Sequence, residues 1–236
     1  MGNISDKNRI WELDFVRGIA LILMVYFHVV YDLREIYGYS VSYAGGINYF
    51  IGKASVILFM FVSGISCSLS KNNLKRGLRI LAAAAVITLA SWAYNADLII
   101  LFGVLHFFGV CLIMAPLISR LNEYVLLGLG TAVIMLQFLI PHIKTGNDWL
   151  MPIGIHSPGF TSSDYYPLIP WLGIFLYGLA AGKLFYRAKK SIFSFRLKDN
   201  IVSRAGRNTL LLYILHQPVI IGTLMLLERM GIISGK

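Results

Sequence analysis

Charged residues are scarce in this chain of 236 residues, and this scarcity excludes the class of ordinary soluble domains. Asp, Glu, Lys and Arg together make up only 14% of the sequence, whereas 57% is hydrophobic. The mean hydropathy is +0.71. Such a composition is typical of an integral membrane protein, because a soluble core does not need so much apolar surface.

Cysteine is almost absent as well. The two cysteines, Cys67 and Cys111, both fall in apolar stretches, where a buried thiol usually acts as a small apolar side chain. This number and spacing exclude a disulfide framework and a cysteine-based metal site. No low-complexity run and no internal repeat divides the sequence, so we expect one domain over residues 1–236.

Long apolar windows set the expected fold. Windows of roughly 17 to 25 residues are long enough to cross a bilayer as helices. They fall at about 18–37, 49–70, 78–94, 98–119, 124–140, 166–186 and 208–227. The sequence therefore predicts an all-α bundle of about seven transmembrane helices and a multi-pass location in the cell membrane.

The basic residues predict the orientation of this bundle. Most of the 21 Lys and Arg residues fall on one side if the N-terminus is cytoplasmic and the C-terminus is outside. The net charge of +10 then reflects topology and contact with anionic lipid in the bilayer, and not binding of nucleic acid. Glu12 and Asp14 interrupt the first basic region, so we expect the first span to be retained and not cleaved as a signal peptide.

Two connections between predicted spans are longer than turns. Residues 186–207 alternate basic and aromatic groups, which predicts an amphipathic segment on the inner leaflet. Residues 141–167 are rich in Gly, Pro and polar groups and are expected outside, where a loop of this length is often functional. Gly178 and Gly182 are interpreted as close contacts between helices.

Three histidines fall near the middle of three different predicted spans. Counting about 1.5 Å per helical residue places His28 roughly 16 Å deep, and His106 and His216 each roughly 13 Å deep. Ionisable groups in lipid are costly and usually face a cavity or one another. A lone mid-span histidine often only bonds a neighbouring helix, but three at one depth predict a common internal site.

The first predicted span carries a polar stripe. Arg17 and His28 share a helix face, Asp32 follows His28 by one turn, and Asp14 precedes Arg17 by nearly one turn. A carboxylate one turn from an imidazole fixes its tautomer and raises its basicity, as a general base requires. The alternative interpretation is that Asp32 and His28 only join helices.

Several motifs, in the same order, are similar to those of a known family. They are "RIWELDFVRGIALILMVYFHVVYDL" at 9–33, "FMFVSGISCSLS" at 59–70, "LFGVLHFFGV" at 101–110, "DYYPLIPWLGIFLYGLAAG" at 164–182 and "GRNTLLLYILHQPV" at 206–219. Through them the chain resembles the bacterial membrane proteins related to heparan-alpha-glucosaminide N-acetyltransferase, within the transmembrane acyltransferase superfamily.

The resemblance implies an acyl-CoA-dependent acetyltransferase. Its donor would be cytoplasmic acetyl-CoA, and its acceptor a glycan or amino sugar that offers an amine or hydroxyl at the opposite membrane face. The resemblance implies no metal cofactor, and it suggests a homodimer. In related bacterial polysaccharide O-acyltransferases a pair like Arg17 and His28 is needed. In the lysosomal enzyme the active histidine follows the first span, where "REIYGYSVSYAGG" offers none.

On this basis we assign candidate roles. His28, with Asp32, is expected to deprotonate the acceptor or to be acetylated itself, and the sequence leaves both routes open. Basic side chains suit the phosphates of CoA, although "KNNLKRGLR" is also an ordinary positive-inside loop. The expected CoA-binding residues are Asp14, Arg17, Lys75, Arg76 and Arg79.

The acceptor is expected to enter past a carboxylate and aromatic side chains, which suit a sugar. These acceptor residues are Asp164, Tyr165 and Trp171, with His106, Asn208, His216 and Gln217 lining the cavity and contacting a developing oxyanion. Asp164 has an alternative role as the cap of the sixth span.

Two other functions remain open at this point. Three histidines could hold a metal ion or haem in a redox or metal-transport protein, because histidine is the commonest metal ligand. A polar cavity in the middle of the membrane would also suit a transporter or flippase.

Overall fold

The computed structural model describes residues 9–234. Two of the 21 basic residues used to predict the orientation, Lys7 and Lys236, lie outside this part. The described residues are 69% helical. Within residues 9–234 the only β-type pairing is an isolated parallel bridge between Phe102 and Tyr165. The predicted all-α class is confirmed.

The described residues form eight α-helices, joined by turns and three short 3₁₀ helices. Their bounds are α1 Trp11–Glu35, α2 Gly46–Leu69, α3 Asn73–Tyr94, α4 Val104–Ile118, α5 Glu123–Leu136, α6 Leu168–Phe185, α7 Ile201–Arg207 and α8 Thr209–Arg229. The 3₁₀ helices are Ala96–Leu98, Ile140–His142 and Met151–Ile153.

Six helical segments in the described part of the chain are long and apolar enough to cross a membrane, and they match six of the predicted spans. Membrane spans favour helices because every backbone group must find its partner within the segment. The seventh, α4, is shorter, with 15 residues. The chain is a multi-pass membrane protein.

The predicted start of the fourth span is wrong. Helix α4 begins at Val104 and not near residue 98. The residues before it turn through Ala96–Leu98 and then extend, and the Phe102 carbonyl accepts the Tyr166 N–H at 2.9 Å. The backbone there pairs with a distant loop and not along a helix. The predicted depth of His106 assumed a continuous helix from Asp97. This depth is therefore wrong, since His106 lies in the first turn of α4.

The chain divides into two compact units, and α2 passes from one to the other. Of the described residues, the first unit contains 9–59 and 190–234, and the second contains Met60–Lys189.

In the first unit, α1 and α8 run in the same direction. His28 lies beside His216, Tyr37 packs with Ile220 and Leu224 farther along both helices, and beyond the helix ends the Ser234 N–H donates to the Tyr39 hydroxyl. This parallel arrangement agrees with α1 and α8 entering the membrane from the same side.

Helix α7 packs against the beginning of α1 through two glycines. A Cβ at Gly18 would lie 2.0 Å from the Val202 carbonyl oxygen, and one at Gly206 would lie 1.8 Å from that of Asp14. Only a hydrogen atom fits at each position, so the two backbones touch and hold α7 across the start of α1.

The connection at residues 186–207 is helical only from Ile201. Before that point, Phe193 and Phe195 pack on Trp11 with ring centroids 5.7 and 5.5 Å away, and Glu12 accepts the Ile192 N–H. The aromatic side chains are thus used in packing on α1, which explains why no continuous amphipathic helix forms.

In the second unit, helices pair closely at small residues. Glycines face each other between α3 and α4, at Gly77 and Gly109, and between α5 and α6, at Gly130 and Gly173. The predicted helix contacts at Gly178 and Gly182 are confirmed, because Cβ atoms there would lie 2.0 Å from the Phe61 carbonyl oxygen and 2.1 Å from the Ser68 hydroxyl.

Candidate functional site

The central feature of the first unit is a pair of imidazoles. The rings of His28 on α1 and His216 on α8 lie edge to face, with their centroids 4.7 Å apart. Both helices are long and apolar, so the pair places two titratable groups together within membrane-spanning segments. The predicted meeting of His28 and His216 is confirmed.

The backbone of α8 fixes the tautomer of His216. Its Nδ1 hydrogen-bonds to the Tyr213 carbonyl oxygen. A carbonyl only accepts, so Nδ1 carries the proton, and in the neutral ring Nε2 carries a lone pair. This Nε2 is buried and has no hydrogen-bond partner within residues 9–234.

Next to the imidazoles, a second pair joins the same two helices. The side-chain amide nitrogen of Gln217 lies 2.9 Å from each carboxylate oxygen of Asp32, to which it donates. Asp32 is only 1% exposed. The amide must present its nitrogen here, because a carbonyl oxygen facing the carboxylate would be repelled. Gln217 Oε1 is then left buried and without a partner among the described residues.

This contact corrects the expected role of Asp32. Asp32 makes no hydrogen bond to His28, and His28 Nδ1 is buried without a partner in the described chain. The reason is that the carboxylate turns to α8, where Gln217 serves both of its oxygens. Asp32 therefore braces α1 against α8 and does not orient His28 directly.

Aromatic rings surround His28. Phe27 and Tyr31 lie edge-on to it, with centroids 5.9 and 6.5 Å away, and Tyr43 lies 4.9 Å from Tyr31. We did not predict these rings or the Tyr213 carbonyl. The sequence spacing could have indicated Tyr31 and Tyr213, since each lies three positions from a histidine and thus about one helical turn away.

Arg17 lies on the same helix as His28, roughly 16 Å nearer the start of α1. Its guanidinium pairs with Asp14 at 2.5 Å, and Arg9 reaches the same carboxylate at 3.7 Å. Asp14 is buried, whereas the Arg17 side chain is 23% exposed. Asp14 is thus placed to hold Arg17.

Asn208 does not join the histidine pair. It is exposed at the junction of α7 and α8, two helical turns before His216, and its amide donates to the Arg204 carbonyl at 3.0 Å. Nearby, two arginines of α7 bond Asp199 and lower the pKa of that carboxyl.

His106 belongs to the second unit, where its partner is Thr88. His106 Nε2 lies 3.3 Å from Thr88 Oγ1, whose own proton is donated to the Ile100 carbonyl at 2.6 Å. The hydroxyl oxygen can therefore only accept, so Nε2 carries the proton and Nδ1 the lone pair. That His106 joins His28 and His216 stays a prediction. Thr88 was missed, because nothing in the sequence links it to His106.

Asp164 caps α4 and not α6, which corrects the structural alternative considered for it. Its Oδ2 accepts the Val104 N–H at 3.0 Å, at the start of α4. Gly103 makes room for this contact, because a Cβ there would lie 2.3 Å from the same oxygen.

The aromatic residues near Asp164 are also held in place. The Tyr165 hydroxyl donates to the Met151 carbonyl at 2.7 Å, and burial raises the pKa of Tyr165 to about 12. Trp171 packs on Tyr166, a residue we did not predict, with centroids 5.4 Å apart. Asp164, Tyr165 and Trp171 thus come from one ordered segment.

The remaining predicted cations, Lys75, Arg76 and Arg79, are exposed at the start of α3 in the second unit. Their joint use with Arg17 stays a prediction. Within residues 9–234, no group of three or more His, Cys, Asp or Glu side chains is arranged to hold a metal ion.

Comparison with known proteins gives one match. The family model described as "Heparan-alpha-glucosaminide N-acetyltransferase, catalytic" matches residues 9–218, which include both imidazoles of the pair, Arg17 and Asp164. No curated protein and no solved structure matches the chain.

Proposed function

This chain belongs to the family of heparan-alpha-glucosaminide N-acetyltransferase catalytic domains, and we propose that it moves an acetyl group from cytoplasmic acetyl-CoA to a sugar at the opposite membrane face. The family is one of membrane acetyltransferases, so the chain is a transferase by membership. The acceptor group would be an amine or hydroxyl of a glycan or amino sugar.

The observation that carries this proposal is the imidazole pair. Acyl transfer needs a group that attacks the thioester or removes the proton of the acceptor. His28 Nδ1 and His216 Nε2, both buried and without partners among residues 9–234, are suited to this task, because they are not committed to holding the fold. His28 acts as the base or as the acyl carrier, and Asp32 keeps α1 and α8 in register through Gln217.

The donor is proposed to bind at the start of α1. Arg17, kept in place by Asp14, would contact the phosphates of CoA, and Lys75, Arg76 and Arg79 would add charge. Arg17 is partly exposed, and it lies on the same helix as His28. The pantetheine arm would cover the distance from the phosphates to the imidazole.

The acceptor is proposed to bind near Asp164, Tyr165 and Trp171, with His106 as a further polar contact. A carboxylate beside aromatic rings suits a sugar, because the carboxylate accepts from hydroxyls and the rings cover its apolar face. Gln217 Oε1, buried and without a partner among the described residues, would accept a hydrogen bond from the amine or hydroxyl that reacts.

The test is acetyl transfer by purified protein in detergent. The protein would be incubated with radiolabelled acetyl-CoA and glucosamine, and labelled N-acetylglucosamine would be counted. We expect product with the wild type and a loss of about 100-fold or more with His28→Ala, the range that one acid–base group contributes. His142→Ala is the matched control, since this exposed histidine lies in the 3₁₀ helix of the outer loop. Full transfer by a folded His28→Ala protein would remove His28 from the proposal.

A second experiment identifies the acceptor without choosing it beforehand. Membranes containing the protein, and membranes without it, would be incubated with radiolabelled acetyl-CoA, and the labelled molecules separated by size and charge. Label in a sugar-containing fraction only when the protein is present supports the proposal. Label that never leaves acetyl-CoA contradicts it.

A further inference from the structure

The two imidazoles of the pair are not equivalent. His216 gives its Nδ1 proton to the Tyr213 carbonyl, and its buried Nε2 has no partner among the described residues. The neutral ring therefore has no N–H left for a developing oxyanion. What Nε2 offers in this state is a lone pair, which can accept a proton. This geometry opposes the role of oxyanion contact expected from the sequence.

The protein around His216 is built to hold this tautomer. The Tyr213 carbonyl lies one helical turn before His216 on α8, so the helix backbone itself positions the ring. The next residue, Gln217, is tied to both oxygens of Asp32 on α1. Its two bonds fix α8 beside α1 at the level where the rings of His28 and His216 meet.

We propose that His216 is the catalytic residue that accepts the proton of the acceptor, which leaves His28 as the residue that carries the acetyl group. This assignment rests on the proposed function and resolves which of its two routes His28 follows. The carboxylate of Asp32, one turn from His28 and bonded to the neighbour of His216, supplies negative charge near the imidazolium that forms.

In the first half-reaction, the unprotonated nitrogen of His28 attacks the thioester carbon and the C–S bond breaks. The one N–H proton of the acylated ring passes to the thiolate, which leaves as CoA thiol. The acceptor amine or hydroxyl then attacks the acetyl carbon while its proton passes to His216 Nε2. The bond from carbon to His28 breaks, and His216 returns the proton to the His28 nitrogen, whose ring centroid lies 4.7 Å from its own.

Two assays separate the half-reactions. Exchange of tritiated CoA into acetyl-CoA without acceptor needs only the first half, and transfer of the acetyl group to glucosamine needs both. Four proteins would be compared in the same detergent: His216→Ala, His216→Gln, His28→Ala and the control His142→Ala. Glutamine at position 216 can still donate to the Tyr213 carbonyl, but its amide cannot take up a proton.

We expect both His216 variants to keep exchange within about threefold of wild type and to lose transfer by about 100-fold or more. Retained exchange also shows that these variants are folded. His28→Ala should lose both activities. Hydroxylamine, an acceptor that is neutral and reactive at pH 7, should restore much of the transfer by His216→Ala, because it needs less help from a base.

Several outcomes would overturn this assignment. One is that His216→Ala transfers acetyl to glucosamine at the wild-type rate. Another is that both His216 variants lose exchange and transfer equally. The third is that the wild type transfers acetyl without any exchange. A wild type that binds acetyl-CoA but neither exchanges nor transfers would instead overturn the proposed function, on which the assignment depends.

Discussion

Gln217 on α8 donates to both carboxylate oxygens of Asp32 on α1, and each contact measures 2.9 Å. Asp32 is almost fully buried, so its carboxylate depends on this one amide for its hydrogen bonds from side chains in the described structure. The bond joins the two helices that carry His28 and His216.

The first prediction concerns this bond. Gln217→Leu leaves the buried carboxylate without its donor, so we expect a loss of about 1.5–3 kcal/mol, the usual range for a hydrogen bond to a charged group. The double variant Asp32→Leu with Gln217→Leu should be more stable than Gln217→Leu alone, because removing both partners removes the unpaired charge. Thermal unfolding in detergent measures both. Purely additive losses would contradict the prediction.

A second prediction concerns the donor. Arg17→Ala should raise the KM for acetyl-CoA about tenfold or more while kcat changes little, because a contact with a phosphate is lost from the bound donor. The KM of Arg17→Lys should lie between those of the wild type and Arg17→Ala, since an ammonium cannot make the paired contacts of a guanidinium. Arg9→Ala is the control, because Arg9 lies 3.7 Å from the same carboxylate but is more exposed. An equal rise in the KM for acetyl-CoA with Arg17→Ala and Arg9→Ala would contradict a specific contact of Arg17. It would mean that only the total positive charge at the start of α1 matters.

Third, the contact of α7 with α1 should tolerate no side chain at Gly206. A Cβ there would lie 1.8 Å from the Asp14 carbonyl oxygen, so Gly206→Ala must push the backbones apart. We expect poor yield and a thermal midpoint several degrees below wild type. Gly222→Ala on α8 is the matched control, because no described residue lies within 4 Å of a Cβ there. That change should be neutral or stabilising, since alanine favours helix by about 1 kcal/mol over glycine. A normal midpoint for Gly206→Ala would refute the close contact.

The fourth prediction separates the two roles of Asp164. Asp164→Asn keeps an oxygen that can accept the Val104 N–H, so thermal stability should be nearly unchanged, whereas Asp164→Ala should lose about 1 kcal/mol with the cap. If the carboxylate also binds the acceptor, Asp164→Asn should raise the KM for glucosamine in spite of its normal stability. An unchanged KM for this variant would leave Asp164 with the capping role alone.

A fifth prediction follows from the bonds of Arg204 and Arg207 to Asp199, which lower the pKa of that carboxyl. A lowered pKa in the folded state means that the ionised group stabilises the fold. This contribution is present above the unfolded pKa of about 3.9 and is lost as the pH falls through the folded value. Asp199→Asn should therefore lower the thermal midpoint at pH 6 to 7, and the difference from wild type should shrink below about pH 4. A difference that does not change with pH would mean that the ion pair does not contribute.

The sequence was sufficient to predict most of the helices. Apolar windows located α1, α2, α3, α5, α6 and α8, because a membrane requires long segments that satisfy their own backbone. The start of α4 could not be found in this way. Residues 99–103 are as apolar as a span, and only their contacts with distant residues show that they are not helical. Examples are the bonds of Ile99 with Ser163 and of Phe102 with Tyr166.

The candidate site was predictable to a similar degree. Histidines on two apolar helices indicated that His28 and His216 would meet, and local spacing suggested that Asp32 would serve His28. The structure joins Asp32 to Gln217 instead, because a side chain on another helix offered the better donor. The tautomer of His216 could not be predicted from the sequence either, since it depends on the hydrogen bond of its Nδ1 to the Tyr213 carbonyl.

The first unit is made from the two ends of the described chain, with α1 and α8 lying side by side in the same direction. During synthesis α1 is therefore made well before α8. His28 and Asp32 remain without His216 and Gln217 while all the intervening helices are made and inserted. Neither residue meets its partner until α8 leaves the ribosome. A nascent chain interrupted after α6 would keep most of the membrane-crossing helices and would still have no assembled imidazole pair.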